Sequence, residues 1–152
     1  MKKTYLKKIT VLLPISVSLF VYGNNTTAQT PTLCQGHTVT ISGTSFADNI
    51  TGTPGPDVIH GGAGNDTIDG RNGDDIICGG NGADLIFGSR GNDSINGGSG
   101  DDTLEGERGE DSLSGGSGDD TITGGNGTDN IDGGSGVDTC AGGLGVDNIV
   151  NC

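Results

Sequence analysis

From Gly43 to Val150 the chain divides into twelve consecutive units of nine residues, with no insertion or deletion. A period this short and this regular decides the architecture before any local propensity does. The pattern is clearest in Gly61–Asp69 (GGAGNDTID), Gly79–Phe87 (GGNGADLIF), Gly97–Glu105 (GGSGDDTLE) and Gly115–Thr123 (GGSGDDTIT). Position one is Gly in all twelve units, and position four is Gly in all but the first, which has Phe46. Position six is always Asp, and position eight is Ile or Leu in eleven units and Cys140 in the other. One apolar position in nine cannot give the periodicity of an amphipathic helix, so helices are excluded from residues 43–150.

Gly adopts the positive φ of tight turns and leaves its carbonyl unscreened. The first six residues of a unit are therefore expected to turn, and the last three, such as Thr67-Ile68-Asp69, to form a short strand with its middle side chain inward. Short strands between recurrent turns predict a coil in which each strand pairs with its copy one coil later. Position two is Gly in the units starting at 61, 79, 97, 115 and 133, but Arg71, Ser89 and Glu107 in the interleaved units. This alternation predicts two units per coil and two distinct edges. The expected fold is all-β, a parallel β-roll (β-solenoid) of nine-residue repeats.

Such a coil has a thin interior. Apolar residues are 30% of the chain, against ~45–50% in ordinary globular domains, and there is no Trp. The charge is lopsided as well. Of seven basic residues, Lys2, Lys3, Lys7 and Lys8 lie at the N terminus; from residue 29 onward, 20 acids face only Arg71, Arg90 and Arg108, a net −17. This balance excludes a nucleic-acid partner and an anionic membrane surface. High charge with low hydrophobicity commonly means disorder, but the strict spacing of Gly and Asp argues for order once the carboxylates are neutralised. The composition points to cations.

Turns stacked at the ~4.8 Å strand spacing bring carboxylates such as Asp66 and Asp84 together with bare carbonyls between them. That environment is hard, oxygen-only and multidentate. Ca²⁺ accepts six to eight oxygens in loose geometry, whereas Mg²⁺ prefers a strict octahedron and keeps its waters. The two His, His37 and His60, do not recur with the repeat, which disfavours Zn²⁺ and Cu²⁺. Six turns on each edge leave five gaps, so about ten sites are the ceiling.

The unit resembles the GGxGxDxUx nonapeptide of the RTX (hemolysin-type) calcium-binding repeat family, and the resemblance runs in register over residues 43–150. It implies a parallel β-roll with several Ca²⁺ ions held between successive turns on each edge. Carried over, the metal ligands are Asp48, Asp57, Asp66, Asp75, Asp84, Asp93, Asp102, Asp111, Asp120, Asp129, Asp138 and Asp147. The backbone carbonyls of Gly61, Gly64, Gly79, Gly82, Gly97, Gly100, Gly115, Gly118, Gly133 and Gly136 are expected to join them. The best-matching turns, 61–66, 79–84, 97–102 and 115–120, should bind most tightly. Phe46, Pro54 and Pro56 depart from the pattern, so the first two turns are expected to bind weakly or to act as a cap. Arg71, Arg90 and Arg108 could replace part of the metal charge on the second edge. Members of the family typically leave the cell without an N-terminal signal and contain few cysteines. This chain differs on both counts, so the family's export route is not carried over.

Residues 1–28 carry the marks of an export signal: the Lys head, an apolar stretch Ile9–Tyr22, and a polar tail ending in Thr26-Thr27-Ala28. Cleavage is expected after Ala28, with a cut after Gly23 as the competitor. A membrane anchor is the other reading, but the stretch falls short of the ~20 residues that span a bilayer. The mature chain would work outside the cytoplasm, secreted or at the cell surface. There Cys34, Cys78, Cys140 and Cys152 can form disulfides. Cys78 and Cys140 are too far apart along the roll to pair, and Cys34–Cys140 would span most of it. That leaves Cys34–Cys78 and Cys140–Cys152, one bridge at each end, with free buried thiols as the alternative. Residues 29–42 are expected to supply a capping strand over His37–Ser42, and residues 151–152 a tail.

No nucleophile–His pairing recurs, and paired acids such as Asp101-Asp102 read as solvated turn residues, so no catalytic residue is assigned. The expected function is that of an exported, non-enzymatic Ca²⁺-binding repeat protein whose folding depends on the ion. The alternative is a calcium-dependent adhesin, or a matrix or biofilm module, binding an extracellular protein or glycan through the polar outward faces (Thr67, Asp69, Thr103, Glu105, Thr121, Thr123).

Overall fold

The computed structural model describes residues 32–152, so the export signal expected over residues 1–28 lies outside the described residues. A two-strand antiparallel hairpin, β1 (Leu33–Cys34) and β2 (His37–Thr38), precedes the roll. The roll then runs β3 (Ile41–Ser42), β4 (Asn49–Thr51), β5 (Val58–Ala63), β6 (Thr67–Asp69), β7 (Ile76–Asn81), β8 (Leu85–Arg90) and β9 (Ser94–Ser99). It continues through β10 (Thr103–Arg108), β11 (Ser112–Ser117), β12 (Thr121–Asn126), β13 (Asn130–Ser135), β14 (Thr139–Leu144) and β15 (Asn148–Val150). Even-numbered strands β4 to β14 form one parallel sheet of six, and odd-numbered strands β3 to β15 a second of seven. Each strand pairs with the strand 18 residues away, as in Thr67 with Leu85 and Ile77 with Ile95. The fold is the parallel β-roll that the repeat predicts, two units to a coil.

The strands are longer than expected. They cover positions seven to nine of one unit and one to three of the next, as in β7, so only positions four to six make the turn. A glycine has no side chain to pack, but its N–H and C=O can still join a ladder, and Gly62 pairs with Gly80 in register. Within residues 43–150 positive φ is confined to positions two and four, as in Gly62 (118°) and Gly64 (112°). On the second edge Arg71, Ser89 and Glu107 take the same left-handed conformation at position two, with φ of 72–78°.

Alternation along each strand sends position eight inward. A single file of Ile and Leu from Ile59 to Ile131 is fully buried between the sheets, with Ile41, Ile50 and Cys140 packed at its ends. The position-six Asp and position-one Gly flank this file on the same inward side: Asp66, Asp75 and Asp84 are each at most 2% exposed. The roll thus has a narrow hydrocarbon stripe bordered on both edges by buried carboxylates.

The disulfides are Cys34–Cys78 and Cys140–Cys152, with Cα separations of 5.8 and 5.9 Å. The first does not close an end. Cys78 faces outward beside inward Ile77, and the Gln35 side chain both donates to the Ser94 carbonyl and accepts from its hydroxyl. The hairpin therefore lies across the outer face of the seven-stranded sheet. Instead of one strand over His37–Ser42, the chain breaks at Val39–Thr40, and only Ile41–Ser42 joins the first coil, beside Ile59–His60.

Candidate metal centre

Each turn is tied to the next by its position-six carboxylate. The backbone N–H of Asp66 donates to Oδ1 of Asp84, and that of Asp84 to Oδ1 of Asp102, both at 2.8 Å. On the second edge Asp75 and Asp93 donate in the same way to Asp93 and Asp111. The ladder spans all twelve aspartates, from Asp48 and Asp57 at the start to Asp138 and Asp147 at the end.

The other oxygen of each carboxylate has no such partner. Oδ2 of Asp66, Asp75, Asp84, Asp93, Asp102, Asp111, Asp120 and Asp129 is buried and accepts no hydrogen bond. An unsatisfied carboxylate oxygen in a desolvated site is costly, and here the cost recurs at every interior turn. The surroundings are fixed by position one. A Cβ on Gly61 would lie 2.5 Å from Oδ2 of Asp66 and 2.5 Å from the carbonyl oxygen of Gly79 in the next coil. On the second edge, a Cβ on Gly88 would lie 2.5 Å from Oδ2 of Asp93 and 3.0 Å from the carbonyl of Gly106. Position one thus needs Gly for space and not for φ, since only a bare Cα lets the carboxylate and the neighbouring carbonyl approach this closely.

Burial governs the acidity of these groups. Loss of hydration pushes Asp93 and Asp102 up to about 7 and Asp111 to about 6, against the lowering effect of the backbone hydrogen bond from the preceding coil. Like-charged aspartates on neighbouring turns add to the rise. Asp75, Asp84 and Asp120 are raised for the same first reason. Six interior carboxylates, Asp75, Asp84, Asp93, Asp102, Asp111 and Asp120, thus resist ionisation.

The donor set fits a hard cation. Among the described residues no three His, Cys, Asp or Glu side chains converge on one point. Coordination would therefore combine carboxylates with backbone carbonyls, the all-oxygen shell that Ca²⁺ takes. The position-one carbonyls of Gly79, Gly97, Gly115 and Gly133 lie beside Oδ2 of Asp66, Asp84, Asp102 and Asp120. The position-four carbonyls of Gly64, Gly82, Gly100 and Gly118 instead point at the glycine of the next coil. The second edge repeats the arrangement with the carbonyls of Gly88, Gly106, Gly124 and Gly142, which sequence reasoning left out. Arg71, Arg90 and Arg108 are exposed on the surface of the second edge.

The first coil differs. Thr44 stands where interior units have Gly, and its N–H and hydroxyl donate to Oδ2 of Asp48 at 2.7 and 2.8 Å. Thr53 N–H donates to Oδ2 of Asp57 at 2.6 Å. A second set of turn contacts runs the opposite way: N–H of Asp119 donates to Oδ1 of Asp101, and N–H of Val137 to Oδ1 of Asp119, both at 2.9 Å. The position-five acids are thus structural acceptors as well as solvated groups. Their recurrence as Asn or Asp at 65, 74, 92, 101 and 119 was the available signal.

A parallel β-roll edged on both sides by desolvated carboxylates defines the class, a repeat protein of the calcium-binding type. Residues 42–77, 79–113 and 114–149 match the family model described as RTX calcium-binding nonapeptide repeat (4 copies), and the chain belongs to that family. No curated protein matches the chain.

Proposed function

We propose that this chain is an exported Ca²⁺-binding β-roll whose folding is driven by ions held between successive turns, and that it works outside the cytoplasm without catalysing a reaction. The observation that carries this reading is the set of eight buried, unpartnered Oδ2 atoms in the interior turns. Asp66 to Asp129 would supply one carboxylate per turn, Oδ1 holding the preceding coil and Oδ2 facing the ion. Position-one carbonyls from the following coil would complete the shell with those of the turn. A bound Ca²⁺ would supply the positive charge that lets these groups ionise inside the roll. Asp48 and Asp57, already satisfied by Thr44 and Thr53, would contribute Oδ2 to no site. Asp138 and Asp147, in the last coil, would contribute mainly to the site before them.

Residues 1–28 would direct export and be removed, which suits the two disulfides. No helix of the described residues is long and apolar enough to cross a membrane. The test is calorimetric Ca²⁺ titration of the ion-stripped chain, followed by circular dichroism with chelator. Several ions bound per chain and a strand signal that collapses on chelation are expected. A strand signal unchanged by chelation refutes the proposal.

A further inference from the structure

The two ends of the roll are not alike in surface chemistry. Five of the exposed large apolar side chains belong to the last coil: Val137 (80% exposed), Leu144 (74%), Val146 (82%), Ile149 and Val150. Among the described residues the remaining two are Phe46 in the first turn and Leu33 in the hairpin, and none lies between residues 47 and 136. The last coil has thus exchanged its polar turn residues for aliphatic ones. Leu144 occupies the line of Asn72, Arg90, Arg108 and Asn126, and Val137 and Val146 occupy the position that holds Asp101, Asp119, Asn92 and Glu110 in earlier coils.

That exchange closes the last run of the position-five contacts, which are already interrupted inside the roll at Ala83 and Thr128. Val137 N–H donates back to Asp119, but an aliphatic side chain offers no acceptor to a further turn. A second copy stacked head to tail would place Ala47 N–H over that missing acceptor. The strand edges nevertheless stay open: β14 and β15 are the outermost strands of their sheets. The strand β14, Thr139–Leu144, contains no charged residue and no Pro, so it lacks the usual devices that blunt an edge. The final segment, residues 139–152, holds a single acidic side chain, Asp147, on an otherwise strongly acidic chain. Residues 32–47 at the other end hold no acidic side chain, so charge repulsion between copies is low at both ends and the exposed aliphatic groups single out this one.

We infer that the C-terminal end of the roll is a self-association surface on which a second copy of this chain docks tail to tail about a two-fold axis. The aliphatic groups of one last coil cover those of the other, and the open edges of β14 and β15 pair with their counterparts. A closed, isologous contact of this kind stops at two chains. The inference rests on the fold and the end-face chemistry, not on the ion assignment.

The test is sedimentation equilibrium of the full chain in calcium buffer, under conditions where the strand signal is present. A reversible shift from one chain to two, and no further, is expected. The double variant Leu144→Asp, Val146→Asp should weaken dimerisation by at least about tenfold while leaving the circular dichroism spectrum unchanged. Should that variant fail to fold, Val137→Asp gives the same reading from the other edge. Phe46→Asp, at the opposite end, should leave the dimer intact. A monomer at all concentrations, a mass series running beyond two, or a dimer lost in Phe46→Asp and kept in the last-coil variants overturns the inference. Because folding is monitored separately, a failure of ion binding is not mistaken for a failure to dimerise.

Discussion

The first coil and the coils behind it are built from the same repeat but solve the same problem differently. In the first, Thr44 and Thr53 provide hydrogen-bond donors to the inner oxygens of Asp48 and Asp57. In the interior coils these oxygens are buried with nothing to accept from. Position two is the switch through its backbone: the N–H groups of Thr44 and Thr53, joined by the Thr44 hydroxyl, donate to the carboxylate, whereas in later units position two takes a positive φ and the carboxylate stays open. On the proposed reading, Asp at position six marks an ion site only where the turn leaves one of its oxygens unsatisfied.

The largest effect on this comparison is expected from glycine replacement. In an interior coil, Gly97→Ala would drive a methyl group into Oδ2 of Asp102 and to within 2.7 Å of the Gly115 carbonyl. A loss of about 1–3 kcal/mol in the calcium-loaded state is expected, read by denaturant titration. Gly55→Ala in the first coil meets nothing within 4 Å and should change stability little. Equal losses at the two sites would break the distinction.

Acidity gives the next largest effect. Asp93 and Asp102 are pushed up to about 7 and Asp111 to about 6, so in the folded, ion-free chain these groups hold protons more tightly than when unfolded. Their contribution to stability is fully present below the ordinary carboxylate value and lost as pH rises through 6–7. Lowering the pH of the chelated chain from about 8 to about 5 should therefore restore strand signal. Ca²⁺ affinity should fall over the same interval, because protons and ions compete for the same oxygens. Strand signal that falls on acidification without calcium would contradict the buried, uncompensated state of these carboxylates.

Asparagine replacement gives a smaller and sharper contrast. Asp102→Asn should lower the count of bound ions in a calorimetric titration. Asp48→Asn should leave the count unchanged and cost under about 1 kcal/mol, since the amide oxygen still accepts from Thr44. The smallest effect is expected from Thr44→Gly, which makes the first turn resemble the interior ones. It should weaken the coil by about 1 kcal/mol and, if position two is the switch, add a weak site.

Much of this was legible in the sequence. Unbroken spacing of Gly, Asp and Ile fixes a coil of two units, because only an 18-residue pairing places every Ile in one file. The disulfide partners follow from the same spacing. What could not be read was atomic direction. The sequence does not show that the two oxygens of Asp84 have different fates, one taking the Asp66 N–H and the other left bare. Nor does it show that position-five acids accept from the next turn, since solvent exposure and a backbone hydrogen bond are compatible with the same residue types. The repeat predicts strands of three residues, because glycine is expected to end them. The alternation of His37–Ser42 predicts a single capping strand, whereas the structure has a hairpin over Leu33–Thr38 with Cys34 clipped to Cys78 on the sheet face.

The aspartate ladder also gives the molecule a direction in time. Each N–H waits for an oxygen that arrives 18 residues later, so no coil is complete until its successor has been made. The threonine-closed coil is no exception, since the Asp48 and Asp57 N–H groups also wait for Asp66 and Asp75.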